Sequence, residues 1–279
     1  MGKLLEKMQQ VSRGPSGSMG FLPRRENQDK PRPAIILVTL RAQDVGAAEA
    51  AAKAGADAFI LTGWMPGADI TAFAAAAESG KTLWGARYDG DGADEPGAAA
   101  KAAGAGFLLL GEKAAVSALF DEEKQFDHVV SIAAPQTEME LLTLRAVNAL
   151  PAQAAVIALP TGVAALRTLS TQAFARLAII AESLRFPLFA AVDEAPDLTA
   201  SHTLVRLGID GIVLSGVGME PGALASQLQA VRADLEKIPP LTKGEGVSLG
   251  ALPTGAGAMP GQPKPEREPE REPHEPDEE

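Results

Sequence analysis

An alternation of strand-like and helix-like segments, repeated eight times, constrains this chain more than any other feature of its sequence. Short apolar runs rich in β-branched residues alternate with alanine-rich segments of helical spacing. The predicted strands cover residues 33–40, 56–63, 81–88, 105–111, 127–134, 154–160, 186–193 and 209–216. Their near-continuous apolar character is typical of a parallel sheet that is covered on both faces.

The segments between the predicted strands have the length and spacing of crossover helices. The predicted helices cover residues 44–55, 70–79, 95–104, 116–125, 138–150, 171–185, 200–208 and 222–238. Eight such units, with no insert long enough for another domain, predict an α/β fold with a single (β/α)8 barrel over residues 33–240. A doubly wound open sheet is the alternative, but such sheets usually have a glycine-rich turn after the first strand, and residues 41–44 contain no glycine.

Two tails flank the predicted barrel. Residues 1–32 form a basic arm that begins with apolar side chains at helical spacing, Leu4, Leu5, Met8 and Val11. This apolar stripe could pack on the barrel or on a second subunit. Residues 241–279 consist largely of glycine, proline and charged residues, which predicts a disordered tail that either increases solubility or binds a protein partner.

Composition excludes several function classes. The net charge of −11 argues against nucleic acid as a partner, because phosphate attraction needs a basic surface. The chain has no cysteine, so disulfides, thiolate metal sites and cysteine nucleophiles are excluded. No apolar run approaches the roughly 20 residues of a membrane span, and no signal peptide is recognisable. We therefore expect a soluble, cytoplasmic protein.

Three local motifs resemble functional signatures but fail on their context. Residues 75–82 fit a loose nucleotide-binding pattern, yet they end a predicted helix and begin a strand, whereas a phosphate loop runs from strand to helix. Residues 89–94 resemble a calcium loop, but Ala100 stands where the bidentate glutamate belongs. The three histidines, His128, His202 and His274, all lie away from the C-terminal ends of the predicted strands. Histidine-centred catalysis and a histidine metal site are therefore not expected, and no metal ligand is assigned.

Two segments carry a resemblance to a known superfamily. AAEAAAKAGADAFILTG and SHTLVRLGIDGIVLSGVG are similar to the helix, Gly-x-Asp and strand units that commonly precede strands two and eight in aldolase-type and phosphate-binding TIM barrels. The resemblance spans roughly residues 33–240 and implies the fold. It also implies a phosphate site after strands seven and eight, which Ser215 to Gly218 match in part. Strand seven departs from that pattern, because it ends in Asp193 and Glu194 without a glycine.

Polar residues at the predicted strand ends form the candidate site, because barrel enzymes act at the C-terminal face. On a catalytic interpretation, Arg41 and Arg87 orient an anionic substrate, and Asp193 or Glu194 acts as general base. Lys113 would supply an electrophile or an amine for a Schiff base. The full set of candidates comprises Arg87, Asp89, Lys113, Asp193 and Glu194 as catalytic residues, with Arg41, Thr62, Ser215 and Gly216 as substrate-binding residues.

A structural interpretation of the same residues stands beside the catalytic one. An arginine inside strand three needs a partner, because an unpaired buried charge is costly, and Asp89, Asp193 or Glu194 could provide it. Alternation along the strands lets Thr39 and Arg41, or Arg87 and Asp89, point toward the barrel axis together.

Three functions remain open at this point. The first is an enzyme of lyase, isomerase or synthase type that acts on a small anionic metabolite. The second is a non-catalytic barrel that acts as an interaction or assembly protein, with its tails providing contacts to a protein partner or a second copy. The third is a flavin-binding barrel, which Trp64 and the apolar strand ends would allow. No cofactor is assigned.

Overall fold

A computed structural model shows eight parallel strands that close into a barrel in chain order. The structure describes residues 2–13, 30–90, 96–120, 126–133, 144–159, 163–167 and 170–239. The strands are β1 (Ile35–Leu40), β2 (Ala58–Leu61), β3 (Leu83–Tyr88), β4 (Phe107–Leu110), β5 (Asp127–Ile132), β6 (Ala154–Ala158), β7 (Leu188–Val192) and β8 (Gly211–Ser215). The predicted (β/α)8 barrel is confirmed, and each strand lies within the range predicted for it.

Helices cover the outside of the barrel. The α-helices are α1 (Lys3–Arg13), α2 (Val45–Ala54), α3 (Thr71–Ser79), α4 (Pro96–Ala102), α5 (Val163–Leu166), α6 (Thr171–Ser183), α7 (Leu198–Arg206) and α8 (Pro221–Leu235). Two short 3-10 helices, η1 (Val116–Leu119) and η2 (Val147–Ala149), follow β4 and β5. Six of the eight predicted crossover helices are confirmed.

The two remaining crossovers differ from the prediction in the part that is described. Residues 116–119 form a single 3-10 turn, and no side chain caps it at Ala115. A β-branched residue followed by serine starts this segment, and neither favours an α-helix without a cap. Residues 121–125 lie outside the described residues. Of the predicted helix at 138–150, residues 138–143 also lie outside them, while residues 144–146 are α-helical and Val147–Ala149 form a 3-10 helix.

The barrel interior is filled in layers by side chains from alternate strands. Most of these side chains are aliphatic, as expected for a barrel core, but two are large aromatics paired with glycine. Gly85 of β3 lies opposite Phe107 of β4, and Gly211 of β8 lies opposite Phe189 of β7. A Cβ at Gly85 would overlap the Phe107 ring. Both phenylalanines therefore fit inside the barrel only because the neighbouring strand has a glycine at the paired position.

A second core lies between the strands and the helices. Helix α2 has four buried alanines and packs closely against α8. Gly80, at the end of α3, brings that helix against α2, since a Cβ there would overlap the Cβ of Ala52. Gly80 itself has right-handed backbone angles, and the left-handed residue is Lys81, with φ of 53°. The small residues thus serve close packing between neighbouring helices.

Acidic residues before two strands tie the lower, N-terminal end of the barrel together. Asp57 accepts a hydrogen bond of 2.8 Å from the backbone N–H of Ile36, and Asp210 accepts one of 3.0 Å from that of Leu188. In each case the carboxylate precedes one strand and binds the start of the preceding strand in the chain. This contact gives a physical reason for the Gly-x-Asp units noted in the sequence.

Helix α1 packs against the lower end of the barrel. Leu4 is fully buried among inward-facing strand residues, and Met8 and Val11 pack against the same cluster. Asp127 of β5 accepts hydrogen bonds from the backbone N–H groups of Leu4 and Leu5, at 2.8 and 3.4 Å. Burial raises the pKa of Asp127, and the Leu4 hydrogen bond opposes that rise. Of the two sites proposed for the apolar stripe, the structure shows the barrel.

Arg32, at the C-terminal end of the N-terminal arm, forms a buried ion pair with the barrel. Its Nη2 lies 2.8 Å from Asp57 Oδ1, and both side chains are almost fully buried. Its backbone N–H donates to the carbonyl of Val11, at 3.0 Å. The arm is therefore held to the barrel at both of its ends.

The predicted tail at 241–279 lies outside the described residues. Within the part of the chain that the structure describes, no helix is long and apolar enough to cross a membrane.

Candidate functional site

Polar side chains begin directly above the last apolar layer of the barrel. That apolar layer comes from the even-numbered strands and consists of Ile60, Leu109, Val156 and Val213. The next inward positions, one step toward the C-terminal end, come from the odd-numbered strands and hold Thr39, Arg87, Ser131 and Ala191. The barrel therefore changes from hydrocarbon to polar groups within one layer, at the end where barrel enzymes act.

Arg87 is the charged residue of this polar layer, and Asp89 is its partner. Arg87 Nε lies 2.9 Å from Asp89 Oδ2, and Nη2 lies 3.1 Å from Oδ1. The side chains of Arg87 and Asp89 are 37% and 51% exposed. Of the three acidic partners that the sequence allowed for Arg87, the structure pairs it with Asp89, two residues along the chain.

Gly111 provides the space for this pair. It is the first residue after β4, and its backbone N–H donates to the carbonyl of Tyr88. A Cβ at Gly111 would overlap the Asp89 carboxylate. No pattern in the sequence marked Gly111, because its importance depends on the register between β3 and β4.

Asp193 follows β7 and contacts the start of α5. Its Oδ1 accepts hydrogen bonds from the backbone N–H groups of Val163 and Glu194, both at 3.1 Å. Among the described residues, Oδ2 has no hydrogen-bond partner. Two backbone N–H groups thus fix the Asp193 carboxylate through Oδ1, and Oδ2 remains available to contact a ligand. Glu194 is exposed beside it.

Two threonine hydroxyls at the strand ends are held by strand carbonyls. The Thr62 hydroxyl donates to the carbonyl of Leu40 at 3.0 Å, and the Thr39 hydroxyl donates to that of Leu214 at 3.3 Å. Ser215 ends β8 at an inward, exposed position. These hydroxyls can still accept a hydrogen bond from a ligand.

Gly216 has a packing role in this structure. A Cβ there would lie 2.9 Å from carbons of both Leu40 and Val38, so the glycine permits close contact with β1. Gly218 has φ of 71° and open space around it, and no side chain caps the start of α8 at Glu220. The loop after β8 therefore combines one packing glycine with one turn glycine.

Arg41 and Lys113 lie in loops beyond their strands. Both side chains are exposed, and neither has an ion-pair partner among the described residues. The Arg41 backbone N–H donates to Asp44, at 3.0 Å, which fixes the loop after β1. Since β4 ends at Leu110, the strand alternation that would aim Lys113 at the axis does not extend to it.

The strand order places Arg87 and Asp193 on opposite sides of the barrel. β3 and β7 are four strands apart in a closed ring of eight. Eight spacings of about 4.8 Å at a tilt of about 36° give a barrel roughly 15 Å across between backbones. The structure thus brings Arg87 and Asp89 together, and it sets Asp193 and Glu194 across the mouth from them.

Other residues that looked functional have structural positions. Trp64 is buried in the outer core, with its ring 6.5 Å from that of Tyr88, and does not belong to the inward polar layer. His128 lies at the start of β5, near the lower end, and His202 is exposed on α7. Asp91 and Asp94 of the calcium-like loop lie outside the described residues. In the described ranges, no three His, Asp or Glu side chains are close enough to hold a metal ion.

Neither a protein-family model nor a curated protein matches the chain. Solved structures do match its fold. The chain is similar to a GGGPS from Thermoplasma volcanium, with 12% identity, a TM-score of 0.58, and coverage of 86% of this chain and 100% of that one. A thiamine phosphate pyrophosphorylase from Pyrococcus furiosus matches with 14% identity, a TM-score of 0.53, and coverage of 74% and 97%.

An orotidine 5'-phosphate decarboxylase from Pyrococcus horikoshii OT3 matches at 12% identity and a TM-score of 0.52, over 72% of this chain and 100% of that one. At such identities the likeness concerns the fold alone. The resemblance seen in the sequence is thereby confirmed at the level of the fold, a closed (β/α)8 barrel.

Proposed function

We propose that this barrel binds a small anionic metabolite at its C-terminal mouth and converts it in a reaction of lyase, isomerase or synthase type. Arg87 anchors the anion, and Asp193 moves a proton. Thr62, Ser215 and Arg41 contribute further contacts to the ligand. The observation that carries the proposal is the polar layer of Thr39, Arg87 and Ser131 directly above an apolar floor.

The composition of the mouth supports a ligand site. Inward positions at the strand ends include the small residues Ala158 and Ala191, which leave room above the floor. A concave apolar floor with a few convergent polar groups is the usual construction of small-molecule sites. Arg87 is about one-third exposed, so it can meet a ligand without breaking a fully buried contact.

Asp193 has the geometry of a general base. Its two backbone hydrogen bonds fix the carboxylate through Oδ1, and its Oδ2 has no partner in the described part of the chain. A base must be held within hydrogen-bond reach of the proton that it removes. A ligand anchored on Arg87 would extend toward Asp193 across the mouth. Glu194 is the second carboxylate on that side, and Lys113 supplies a cation near the Arg87 side.

The named activities of the structural neighbours agree with an anionic ligand only in general terms. Two of them are named for a thiamine phosphate and an orotidine 5'-phosphate reaction. In this chain the end of β7 carries Asp193 and Glu194, whose negative charges would repel an anion bound there. We therefore place the anion at Arg87, on the opposite side of the mouth.

Thermal unfolding in the presence of a panel of small carboxylates, phosphates and sugar acids tests this proposal. A ligand at one hundred times its Kd stabilises a protein by about 2.7 kcal/mol, which corresponds to a rise in Tm of roughly 5–10 °C for a chain of this size. The rise should be lost in Arg87→Ala and retained in Asp193→Asn, while Asp193→Asn loses turnover. If no compound in the panel shifts the wild type, or if Arg87→Ala responds like the wild type, the proposal is wrong.

A non-catalytic barrel is the second candidate, because Arg87 and Asp193 each already have partners within the chain. On that account the wild type, Arg87→Ala and Asp193→Asn would all lack turnover, and none of the three would respond to a compound of the panel. Pull-downs with the full chain and the two variants would then recover the same partners.

A further inference from the structure

We propose that Asp89 and Gly111 are positioning residues for Arg87, and that the anion which Arg87 takes is a carboxylate. This inference rests on the proposed function, because it specifies the ligand group of the same site. It assigns to Asp89 a role different from the catalytic one that the sequence suggested, and it adds Gly111 to the site.

The contacts of Arg87 define which of its donors remain for a ligand. A guanidinium has five N–H donors, and Asp89 occupies the edge formed by Nε and Nη2. Nη1 has no hydrogen-bond partner among the described residues. The end of the guanidinium, with Nη1 and the second Nη2 proton, is therefore the part that can meet a ligand. Two parallel N–H groups at that end match the two oxygens of a carboxylate.

This arrangement requires glycine at position 111. The Asp89 carboxylate occupies the position that a side chain at residue 111 would fill. Gly111 is itself fixed, because its N–H donates to the Tyr88 carbonyl at 2.9 Å, as a continuation of the β3–β4 ladder. Any side chain at this position would displace Asp89 and release the bound edge of Arg87.

The charges at the mouth favour a singly charged anion. The Arg87–Asp89 pair is neutral as a whole, so it offers a directional donor without the excess positive charge that suits a doubly charged phosphate. The carboxylates Asp193 and Glu194 stand on the far side, and the cations Arg41 and Lys113 lie in loops outside the polar layer. A carboxylate needs one guanidinium edge, and the polar layer presents one, at Arg87.

NMR of the arginine Nε–Hε groups in the full chain, with glycolate and inorganic phosphate as probes at constant ionic strength, tests the inference. Glycolate should shift the Arg87 signal in a saturable manner and bind more tightly than phosphate. Asp89→Asn and Gly111→Ala should each weaken glycolate binding by about tenfold, since a charge-assisted contact that orients Arg87 is lost. The matched control is Asp234→Asn, which removes a partly buried carboxylate of α8 paired with Lys237 at 2.8 Å and should leave both the Arg87 signal and glycolate binding unchanged.

Exchange of the Arg87 Hε proton with solvent provides a readout that needs no ligand. It should be slow in the wild type and in Asp234→Asn, and faster in Asp89→Asn and Gly111→Ala, because only the first two keep the charge-assisted hydrogen bond to the Asp89 carboxylate. Equal exchange in all four proteins would overturn the positioning role. Phosphate binding tighter than glycolate would overturn the carboxylate assignment. A protein with slow Hε exchange but no response to any anion would instead contradict the proposed function.

Discussion

At its lower end the barrel is closed by helix α1, whereas at its upper end the inward positions carry polar and small side chains. The lower end buries Leu4 and an Arg32–Asp57 ion pair, and the upper end exposes an Arg87–Asp89 ion pair. The lower-end groups come from helix α1, from the N-terminal arm and from the residue before β2, whereas Arg87 is an inward residue of β3 and Asp89 follows that strand. The difference teaches that the groups added from outside the strands are packed into the fold, while the polar pair at the upper end keeps exposed side chains.

The two arginine–aspartate pairs give the sharpest form of this comparison. Asp57→Ala should lower the free energy of unfolding by about 3–5 kcal/mol, because it leaves the buried Arg32 charge and the Ile36 N–H without their acceptor. Asp89→Ala, its counterpart at the upper end, should cost less than about 1 kcal/mol. Urea denaturation of both variants measures the contrast, and equal losses would break it.

Truncation of the leucine that fills the lower end should have the next largest effect. Leu4→Ala should cost about 3 kcal/mol, since Leu4 is fully buried among inward strand residues. Leu198→Ala is the control, because Leu198 is 40% exposed at the start of α7 and should cost much less. A loss below 1 kcal/mol for Leu4→Ala would show that α1 does not seal the barrel.

The interior of the barrel should resist a single added methyl group. Gly85→Ala should cost about 1–3 kcal/mol, because the new Cβ overlaps the Phe107 ring. Gly222→Ala, within α8, meets no atom within 4 Å and should be neutral or slightly stabilising. Thermal unfolding distinguishes the two, and a neutral Gly85→Ala would contradict the paired packing of glycine and phenylalanine.

Two carboxylates should give small pH effects of opposite sign. Burial raises the pKa of Asp210, so its ionisation destabilises the native state at neutral pH, and this penalty disappears as pH falls toward the ordinary value. Asp210→Asn does not carry this penalty, so its free energy of unfolding should gain relative to that of the wild type at pH 7. This gain should disappear between pH 7 and pH 4.

Asp69 is the matched opposite case. Two hydrogen bonds from Thr71 lower the pKa of Asp69; the one from its backbone N–H has the larger effect, and the one from its side chain the smaller. The ionised form of Asp69 therefore adds stability, which is lost as pH falls through the lowered pKa. Asp69→Asn should start less stable than the wild type at neutral pH and approach it in acid. If the difference in unfolding free energy from the wild type changed with pH in the same direction for both variants, the opposite pKa shifts of Asp69 and Asp210 would be wrong.

The eight strands could be predicted because burial on both faces leaves an uninterrupted apolar run, which a sequence displays directly. The helix after β4 could not, because residues 116–119 lack a cap and form a 3-10 turn. The apolar stripe of α1 predicted that one face of the helix is buried, but not which surface buries it. An amphipathic pattern carries no information about the surface that covers its apolar face. The structure identifies the covering surface as the lower end of the barrel, where Leu4 lies among inward strand residues.

The candidate site divides in the same way. Strand ends locate Arg87 and Asp193 at the C-terminal face, so their placement follows from the strands alone. The choice of Asp89 as the partner of Arg87 was one of three that the sequence allowed. The role of Gly111 depends on the register between β3 and β4, which no local pattern encodes.

The most direct test of the division between the two ends measures Tm and ligand response together in Leu4→Ala and Arg87→Ala. For a metabolite that stabilises the wild type, we expect Leu4→Ala to have a lower Tm and an unchanged ligand-induced rise. We expect Arg87→Ala to have a near-normal Tm and no rise on addition of the ligand. A ligand response that survives in Arg87→Ala, or that is lost in Leu4→Ala, would show that the two ends are not divided in this way.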